Sequence, residues 1–524
     1  MIQLAIEREK LNDESYVRTL INSIMLQKLI EGVGNKLEKA FDYYDGKEPT
    51  TSFENDNKYE CKVVNLTKPI VDTATKTFIG ELPDIVTSGD KDEKDKISVF
   101  TQKLYQRQFG THLYETCHYG SKCGTGYLAL YNEIGDTFPR FRELNPRFAE
   151  CVYDCSLSKE HLLSYFIAQV NDATTPTNLA MSKYIVYAYT KNRIYSYESP
   201  TTYTSQTTKP DTEKTMIVKP YFLWQLSNGK KVNYVEHNFG DIPIVEFPNN
   251  AEYKGDAECV FDLIKLYNEV INNRCKNLYD VVNYILLIKN ARLGNKDETK
   301  EAIDLLEEHH VLAVEGDDVD AKFLTNPLNQ EQLQTLANNI KDLIHLISRV
   351  PDLSGVDFSQ NASDPIIKIK TKPLLDLCND KEKWCNEPYL RVIKMVLNWC
   401  RRNSKDFGTF DFNTDIISLS YTHTLPSNDV DMITMITNLA NSGMANPEVL
   451  LQNLSFIPSV HDYEKGMRKW NKEVDKRKSL QQNNKEGINQ KNIERQNEKP
   501  ITKDNMDNKS NFNEGNANTL SDLK

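Results

Sequence analysis

One short segment brings together thiol and imidazole side chains, the ligand types that zinc prefers. Cys117 and Cys123 are separated by five residues, and His112 and His118 lie close to them in sequence. A zinc knuckle needs more closely spaced cysteines, and no second paired motif follows. We therefore interpret both cysteines as buried thiols near the end of a helix, and we predict no metal site.

The same segment contains a glycine-rich run, from Gly120 to Gly126, with Lys122 inside it. This composition superficially resembles a phosphate-binding loop. The residue order is not that of a P-loop, however, and the run leads from a helix pattern into a strand pattern. A phosphate loop leads from strand to helix, because the helix N-terminus supplies the N–H groups. The run therefore predicts a turn.

The remaining chemically capable residues form no catalytic pattern. His309 and His310 are adjacent, so on a helix they would point in different directions. Acidic pairs such as Asp317-Asp318 are expected among 75 acidic residues, and such pairs usually mark a solvated face. The sequence contains neither an HExxH motif nor a nucleophile elbow. We predict a protein that is not an enzyme and uses no cofactor.

The composition predicts a soluble protein of several domains, because 524 residues suffice for roughly three or four. No apolar run approaches the ~18 residues of a bilayer span, and the first residues lack a secretory pattern, so we expect no membrane partner and a cytosolic site of assembly. The ten irregularly spaced cysteines then indicate free thiols. A net charge of −11 argues against a protein that binds nucleic acid by neutralising many phosphates, but it is compatible with DNA that slides past the protein.

The secondary-structure elements that position any functional residue differ along the chain. Up to about residue 250, helix patterns give way to short runs rich in tyrosine and valine, separated by Asn, Thr, Gly and Pro. Such alternation is typical of an antiparallel sheet. The sequence therefore predicts an α+β fold for this part of the chain.

Two long helix-patterned stretches follow, at 256–282 and 330–347. Each carries a continuous apolar face at helical spacing. The residues that form these faces are Val260, Ile264, Tyr267 and Ile271 in the first stretch, and Leu336, Ile340, Leu343 and Ile347 in the second. We predict that these two seams bury against neighbouring subunits.

A compact insert separates the two stretches, with a strand at 284–288, a short helix at 300–308 and a strand at 311–314, arranged as a βαβ-like tip. A polar loop after the second stretch contains Ser359, Gln360 and Asn361. The pattern then predicts a third long helix with a kink at Pro388, a strand at 416–423 and short helices at 429–441 and 446–453. Beyond about residue 470 large apolar residues are almost lacking, which predicts disorder.

Taken together, these segments resemble the portal (head-to-tail connector) proteins of long-tailed bacteriophages with double-stranded DNA. The order and spacing of the matching segments are more specific than any single one of them. The segments are 43–47 (Tyr-Tyr-Asp-Gly-Lys), 65–80, 124–127, 145–146, 152–154, 242–250, 263–268 and 351–354 (Pro-Asp-Leu-Ser). The chain departs from the family pattern at 363–365, where Ser-Asp-Pro precedes the third helix.

The resemblance implies a portal-type α+β fold, with an α/β wing, a two-helix stem, a small α/β clip, a long kinked wing helix, an α-helical crown and a disordered C-terminal tail. Carried over to this chain, the parts are the wing (1–255), stem helix 1 (256–283), clip (284–328), stem helix 2 (329–350), tunnel loop (351–370), long kinked helix with a wing strand (371–428), crown (429–470) and tail (471–524).

The resemblance also implies a ring of about twelve subunits at one capsid vertex of the virion, around an axial channel through which double-stranded DNA is packaged and ejected. The implied partners are copies of the chain itself, the large subunit of the terminase, a head-completion adaptor protein, and the major capsid and scaffolding proteins. Two alternatives stay open: a minor capsid or baseplate component without a DNA channel, and a nuclease with dispersed carboxylates.

Within that resemblance, the DNA-channel candidates are Lys341, Ser359, Gln360, Asn361, Lys368, Lys370 and Lys372. The lysines lie on the second stem helix or beside the tunnel loop, where they could touch phosphates transiently. The alternative interpretation is a solvated basic edge with no contact to DNA. A largely acidic channel suits translocation, because it does not hold phosphates tightly.

Overall fold

The computed structural model describes residues 2–4, 8–31, 33–47, 63–170, 183–199, 218–225, 229–282, 285–289, 320–324, 330–353, 364–423 and 437–438. The chain divides into two units, Met1–Pro426 and Ser427–Lys524, and every element named below belongs to the first. The predicted tail, and the predicted crown except 437 and 438, lie outside the described residues.

The helices carry the hydrophobic periodicity that the sequence shows. In chain order they are α1 (Glu14–Glu31), α2 (Val33–Asp45), α3 (Thr67–Ile79), α4 (Lys91–Gln106), α5 (Phe109–Cys123), α6 (Phe261–Val282), α7 (Gln330–Ser348) and α8 (Asp364–Asn403). None of these described helices is both long and apolar enough to cross a membrane.

The sequence pattern predicts a single helix over 97–119, and this prediction is wrong in one respect. The structure has two helices there, α4 and α5, separated at Gln108. Gln108 adopts a left-handed conformation with φ of 54°, which a continuous right-handed helix cannot contain. Asp90 caps the start of α4, because its side chain accepts a hydrogen bond from the N–H of Glu93.

The strands include the predicted tyrosine- and valine-rich runs of the first 250 residues, among them 183–189 and 193–199. In chain order they are β1 (Ile2–Leu4), β2 (Asp84–Thr87), β3 (Thr125–Tyr131), β4 (Arg140–Leu144), β5 (Ala149–Asp154), β6 (His161–Val170), β7 (Lys183–Tyr189), β8 (Arg193–Ser199), β9 (Lys219–Pro220), β10 (Trp224–Gln225), β11 (Lys231–Val232), β12 (Tyr234–Glu236), β13 (Ile244–Pro248), β14 (Ile285–Lys289), β15 (Asp320–Leu324) and β16 (Ile417–Ser420).

The largest sheet has the order β1-β5-β6-β7-β8-β12, and β9 also pairs with β8. All its pairs are antiparallel except β1 with β5, which are parallel. A second sheet has the order β13-β3-β4, and three further pairs join β10 to β11, β14 to β15 and β16 to β2. Helices and antiparallel sheets together confirm the predicted α+β class.

Three buried clusters hold the described elements together, and the smallest of them lies between β3, β5 and β13. Helix α1 covers the largest sheet, since Val17 and Ile21 pack in one cluster with Val186 of β7. A larger cluster surrounds the three-stranded sheet and joins α3, α5 and α8, with Phe109 and Tyr389 in edge-to-face contact at a centroid distance of 5.4 Å. This larger cluster continues into α6 and α7, so these two helices and the α+β part share one core.

The described part of the predicted βαβ-like tip contains a strand pair that the sequence did not predict. β14 pairs antiparallel with β15, with Ile285 opposite Leu324, so the partner of the first strand is 320–324. The predicted helix at 300–308 and the predicted strand at 311–314 lie outside the described residues. The second strand was missed because its sequence, Asp-Ala-Lys-Phe-Leu, contains two charged residues and no β-branched one.

Helix α8 begins at Asp364, inside the segment predicted as the tunnel loop, so the expected boundary at 371 is too late. Pro365 lies in the first turn, where backbone N–H groups have no partner within the helix, so the missing N–H of proline costs no helical hydrogen bond. Lys368, Lys370 and Lys372 are consequently helical. On a helix, residues two positions apart point about 200° apart, so Lys370 faces away from the other two. The helix also includes Pro373 and Pro388, and the kink at Pro388 stays a prediction.

Candidate subunit interface and DNA-channel residues

Helices α6 and α7, which are the predicted stem helices, pack against each other and bury one face of each. Ile264 of α6 is fully buried, and Ala337, Ile340 and Ile344 of α7 are at most 4% exposed. Val260, in a short 3₁₀ helix that precedes α6, is also fully buried. The predicted seam thus exists, but much of it is closed by the other helix of the same chain.

The predicted interface residues therefore fall into two groups. Val260, Ile264 and Ile340 are covered by their own chain, which leaves them no surface for a second subunit. Tyr267 and Ile271 are partly buried against the same core. The predicted residues that are exposed are Leu336, Leu343 and Ile347, at 46%, 45% and 46%.

A fourth residue of α7, Leu346, is 72% exposed, and the sequence pattern did not single it out. Leu336, Leu343, Leu346 and Ile347 together form what we call the exposed stripe. It lies beside the buried face of α7, because Leu343 and Ile347 follow Leu336 by about two and about three helical turns, and all three lie within about 60° of Ile340 around the helix. Apolar side chains in such a row are typical of a surface that another protein covers.

The predicted DNA-contact lysines are engaged by carboxylates of their own chain where their contacts are described. The ammonium of Lys341 donates to Asp352 at 2.5 Å, and this hydrogen bond raises the pKa of Lys341. Lys372 donates to Asp376 at 2.7 Å. Ser359, Gln360 and Asn361 lie outside the described residues. A phosphate would have to compete with these carboxylates, which favours brief contacts over tight binding.

The segment that leaves α7 is fixed by several polar contacts. Arg349 adopts a left-handed conformation with φ of 61°, which ends the helix, and its guanidinium donates to Asp380 of α8 at 3.1 Å. The Nδ1 atom of His345 lies 2.8 Å from the carbonyl oxygen of Val350, whose side chain is buried. With the pair between Lys341 and Asp352, these contacts set the direction in which the chain leaves α7.

A buried ion pair joins the segment before α6 to the core. The ammonium of Lys381, in α8, donates to Asp256 at 2.5 Å and to the hydroxyl of Ser121 at 2.6 Å. The side-chain amide of Asn249 donates to the other carboxylate oxygen of Asp256 at 2.9 Å. The side chains of Lys381 and Asp256 are only 3% and 1% exposed. We call these four residues the buried hub.

The buried hub connects three parts of the chain that are distant in sequence. Ser121 lies near the end of α5, Asn249 follows β13, and Asp256 precedes α6. Because a buried charge without a partner is costly, each part holds the others in place. Sequence reasoning missed Lys381, since a lysine flanked by charged residues predicts a solvated position.

The candidate zinc and phosphate residues have structural roles. Cys117 and Cys123 are buried, while the ring nitrogens of His112 and His118 lie 2.5 Å from Glu143 and 3.1 Å from Asp72. The glycine run covers the end of α5, a turn at Gly124 and the start of β3. Gly124 has φ of 96°, and a β-carbon there would lie 2.1 Å from the carbonyl oxygen of Tyr253. The run is therefore explained by close packing.

Two carboxylates, Glu150 of β5 and Glu246 of β13, are buried, at 5% and 4% exposure. The hydroxyl groups of Thr125 and Tyr127 donate to Glu246 at 3.2 and 3.4 Å. Burial, together with the negative charge of Glu150, raises the pKa of Glu246 from 4.5 to about 7. The folded chain thus binds this proton more tightly than the unfolded chain does, and the contribution of Glu246 to stability falls as the pH rises from about 4.5 to 7.

Replacing this carboxylate by a neutral amide should remove that pH dependence. We expect Glu246→Gln to exceed the wild type in free energy of unfolding by about 3 kcal/mol at pH 8 and by less than about 1 kcal/mol at pH 5. Urea unfolding at both pH values measures the difference. Glu252→Gln is the control, because Glu252 is 69% exposed and its replacement should have little effect at either pH. Equal differences at the two pH values for Glu246→Gln would contradict the assignment.

Comparison with known proteins gives a consistent result. The sequence model of the family described as "Phage portal protein, SPP1 Gp6-like" matches residues 35–486. The chain is 22% identical over 237 residues to the portal protein of Clostridium phage phiCD119, covering 44% of this chain and 49% of that protein. It is also 22% identical over 240 residues to the portal protein of Bacillus phage SPP1, covering 45% of each.

These pairwise alignments span about half the length of the two curated relatives. The family match is much longer, and it includes the three-stranded sheet, α6, α7, the buried hub and the whole of α8. Since that match covers most of the sequence, the chain belongs to the SPP1 Gp6-like family of phage portal proteins.

Proposed function

We propose that this chain is the subunit of a ring, of about twelve copies, at one vertex of a phage capsid. Double-stranded DNA passes through the ring during packaging and ejection. The terminase and later a head-completion adaptor dock on the clip, and the ring sits among the major capsid and scaffolding proteins. The chain itself carries out no reaction, and the terminase supplies the force. Family membership and the names of the two relatives support this role.

The single observation that carries the proposed ring is the exposed stripe on α7. A closed ring needs each subunit to present two different surfaces that meet head to tail. The paired stem helices form a rod whose inner seam is already closed, so the apolar surface left for a neighbour is the exposed stripe, with Leu266 of α6 at 45% exposure as a further member. Burial of apolar surface against the next copy would drive association.

The charge of the chain supports a conduit through which DNA slides. A net charge of −11 per subunit becomes strongly negative when multiplied by about twelve copies. Lys341 and Lys372 are paired with Asp352 and Asp376, so these cations are partly neutralised. A channel of this kind does not trap phosphates, and DNA can move along it under the force of a motor.

Assembly of the purified full-length chain tests the proposal. We expect rings with a central hole in negative-stain micrographs and a particle mass of about twelve subunits by mass photometry. Leu343→Asp should abolish most ring formation without unfolding the chain, because Leu343 is 45% exposed in the subunit.

Asn338→Asp is the matched control for this test. Asn338 is exposed on α7 and points about 140° away from Leu343 around the helix axis. The control variant therefore introduces the same charge on a different face. Its hydrogen bond from Gln334 can be kept, since an aspartate also accepts. Particles without a central hole would indicate a capsid or baseplate component and overturn the conduit. Normal rings in Leu343→Asp would show that the exposed stripe is not the interface.

A further inference from the structure

The loop between β3 and β4 presents an isoleucine entirely to solvent. Ile134 is 108% exposed, so no part of the described chain covers it. The loop itself is held firmly, because the carboxylate of Asp136 is 8% exposed and accepts from the N–H of Glu133 at 2.8 Å. It also accepts from Arg140 at 2.9 and 3.2 Å and from Arg107 at 3.1 Å. We call Ile134 on this loop the knob. A partner that covers the knob has little conformational entropy to remove, since the loop is already ordered.

The surface at the foot of the knob carries positive charge. A hollow of about 270 Å³ lies there, between the end of α4 and the same loop. The described residues that line it include no acidic side chain, and they are Lys103, Gln106, Arg107, Thr137 and Phe138. Arg107 pairs with Asp136, whereas the ammonium of Lys103 lies over the ring of Phe410 at 4.8 Å. A surface that receives the knob should therefore combine apolar walls with negative charge.

The chain has a surface with both of these properties. An open cleft of about 590 Å³ lies where α3 ends, β2 begins and α4 meets α5. Its described lining includes aliphatic side chains, aromatic rings and two carboxylates, namely Ile79, Leu82, Tyr105, Tyr114, Glu81 and Asp84. No lysine, arginine or histidine occurs among the described residues that line it. The cleft is thus complementary to the knob in polarity and in charge, and it is wide enough to take the tip of a loop.

The knob and the cleft lie on opposite sides of the end of α4. Tyr105 lines the cleft, and Lys103 lines the hollow beside the knob. Residues two positions apart on a helix point about 200° apart, so these two side chains face in nearly opposite directions. Two complementary surfaces on opposite sides of one chain bring copies together head to tail. A closed ring of many copies requires a contact of this kind.

We propose that the knob of one subunit docks in the cleft of the next subunit of the ring. Ile134 then lies between the apolar walls of that cleft, while Lys103 lies near its two carboxylates. The occupant of the cleft is therefore a second copy of this chain. The contact rests on the proposed ring, and it is separate from the exposed stripe because the knob and the cleft both belong to the α+β part of the chain.

An aspartate at the tip of the knob tests this contact in the full-length chain. Ile134→Asp should lower the yield of rings, measured by mass photometry, by about tenfold or more, because the new carboxylate would enter a cleft that already contains Glu81 and Asp84. The thermal midpoint of the monomer should stay unchanged, since Ile134 is fully exposed. Adding Asp84→Lys to Ile134→Asp should restore most of the rings, because opposite charges then meet across the contact.

Leu157→Asp is the matched control. Leu157 is 105% exposed in the loop between β5 and β6, so the same charge is added at an equally exposed loop tip, and the yield of rings should change by less than about twofold. Three results would overturn the knob contact and leave the proposed ring in place: normal rings in Ile134→Asp, no recovery with Asp84→Lys, or equal losses in Ile134→Asp and Leu157→Asp. A wild-type chain that forms no rings would instead overturn the proposed function, and the knob contact with it.

Discussion

Replacing Lys381 with methionine should lower the free energy of unfolding by about 3–5 kcal/mol. The methionine keeps most of the volume of the lysine stem but removes the ammonium group. Asp256 would then remain 1% exposed with no cation beside it, and Ser121 would lose its hydrogen-bond donor. Urea denaturation, followed by tryptophan fluorescence, measures the loss. The effect is large because the partner charge left behind cannot reach water.

Two further variants isolate the cause. Lys383→Met removes a lysine of the same helix that pairs with Asp380, and the two side chains are 70% and 53% exposed. This variant should lower the free energy of unfolding by no more than about 1 kcal/mol. Adding Asp256→Asn to Lys381→Met should recover part of the lost stability, because a carboxamide is neutral and still accepts from Asn249. If Lys381→Met lowers the free energy of unfolding by no more than Lys383→Met does, the buried hub does not hold the start of α6 in place.

The second large effect is expected at the closed seam between α6 and α7. Ile340→Asp should lower the free energy of unfolding by at least about 3 kcal/mol, because it removes a buried aliphatic side chain and adds a carboxylate at a position that is only 4% exposed. The variant should therefore fail to form rings as a consequence of unfolding. Urea unfolding and circular dichroism of the monomeric chain measure this loss.

Comparison with Leu343→Asp separates folding from assembly. Leu343 lies three residues further along α7 but is 45% exposed, so the same aspartate should change the unfolding free energy of the monomer by less than about 1 kcal/mol. Ile340→Asp would then lose both fold and ring, and Leu343→Asp only the ring. Equal stability of the two variants would mean that the buried and exposed faces of α7 are wrongly assigned.

The distinction between these two residues shows what the sequence could predict about the candidate site. Helical spacing places Leu336, Ile340, Leu343 and Ile347 on one broad apolar face. Periodicity does not reveal which part of that face is closed by the same chain. The division between Ile340 and Leu343 depends on where α6 lies, which is a matter of long-range packing.

The lysines near the predicted tunnel loop illustrate a second limit. The sequence Ile-Lys-Ile-Lys at 367–370 alternates as a strand or an extended loop does, whereas the structure has α8 there. Local propensity and the long amphipathic pattern that follows compete at this point, and the helix continues N-terminally to Asp364. Polar residues of the adjoining segment, Ser359 to Asn361, remain predictions because they lie outside the described residues.

The sequence by itself determined the α+β class, the antiparallel sheet, the two long helices α6 and α7 and the resemblance to portal proteins, because these depend on local periodicity and on the order of short motifs. Tertiary structure alone decided the partner of β14, the closed and exposed faces of α7, and the buried hub. Lys381 and Ser121 are 260 residues apart, and Lys381 and Asp256 are 125 apart. Such contacts arise only when the whole core forms, since burial depends on all the elements that cover a residue.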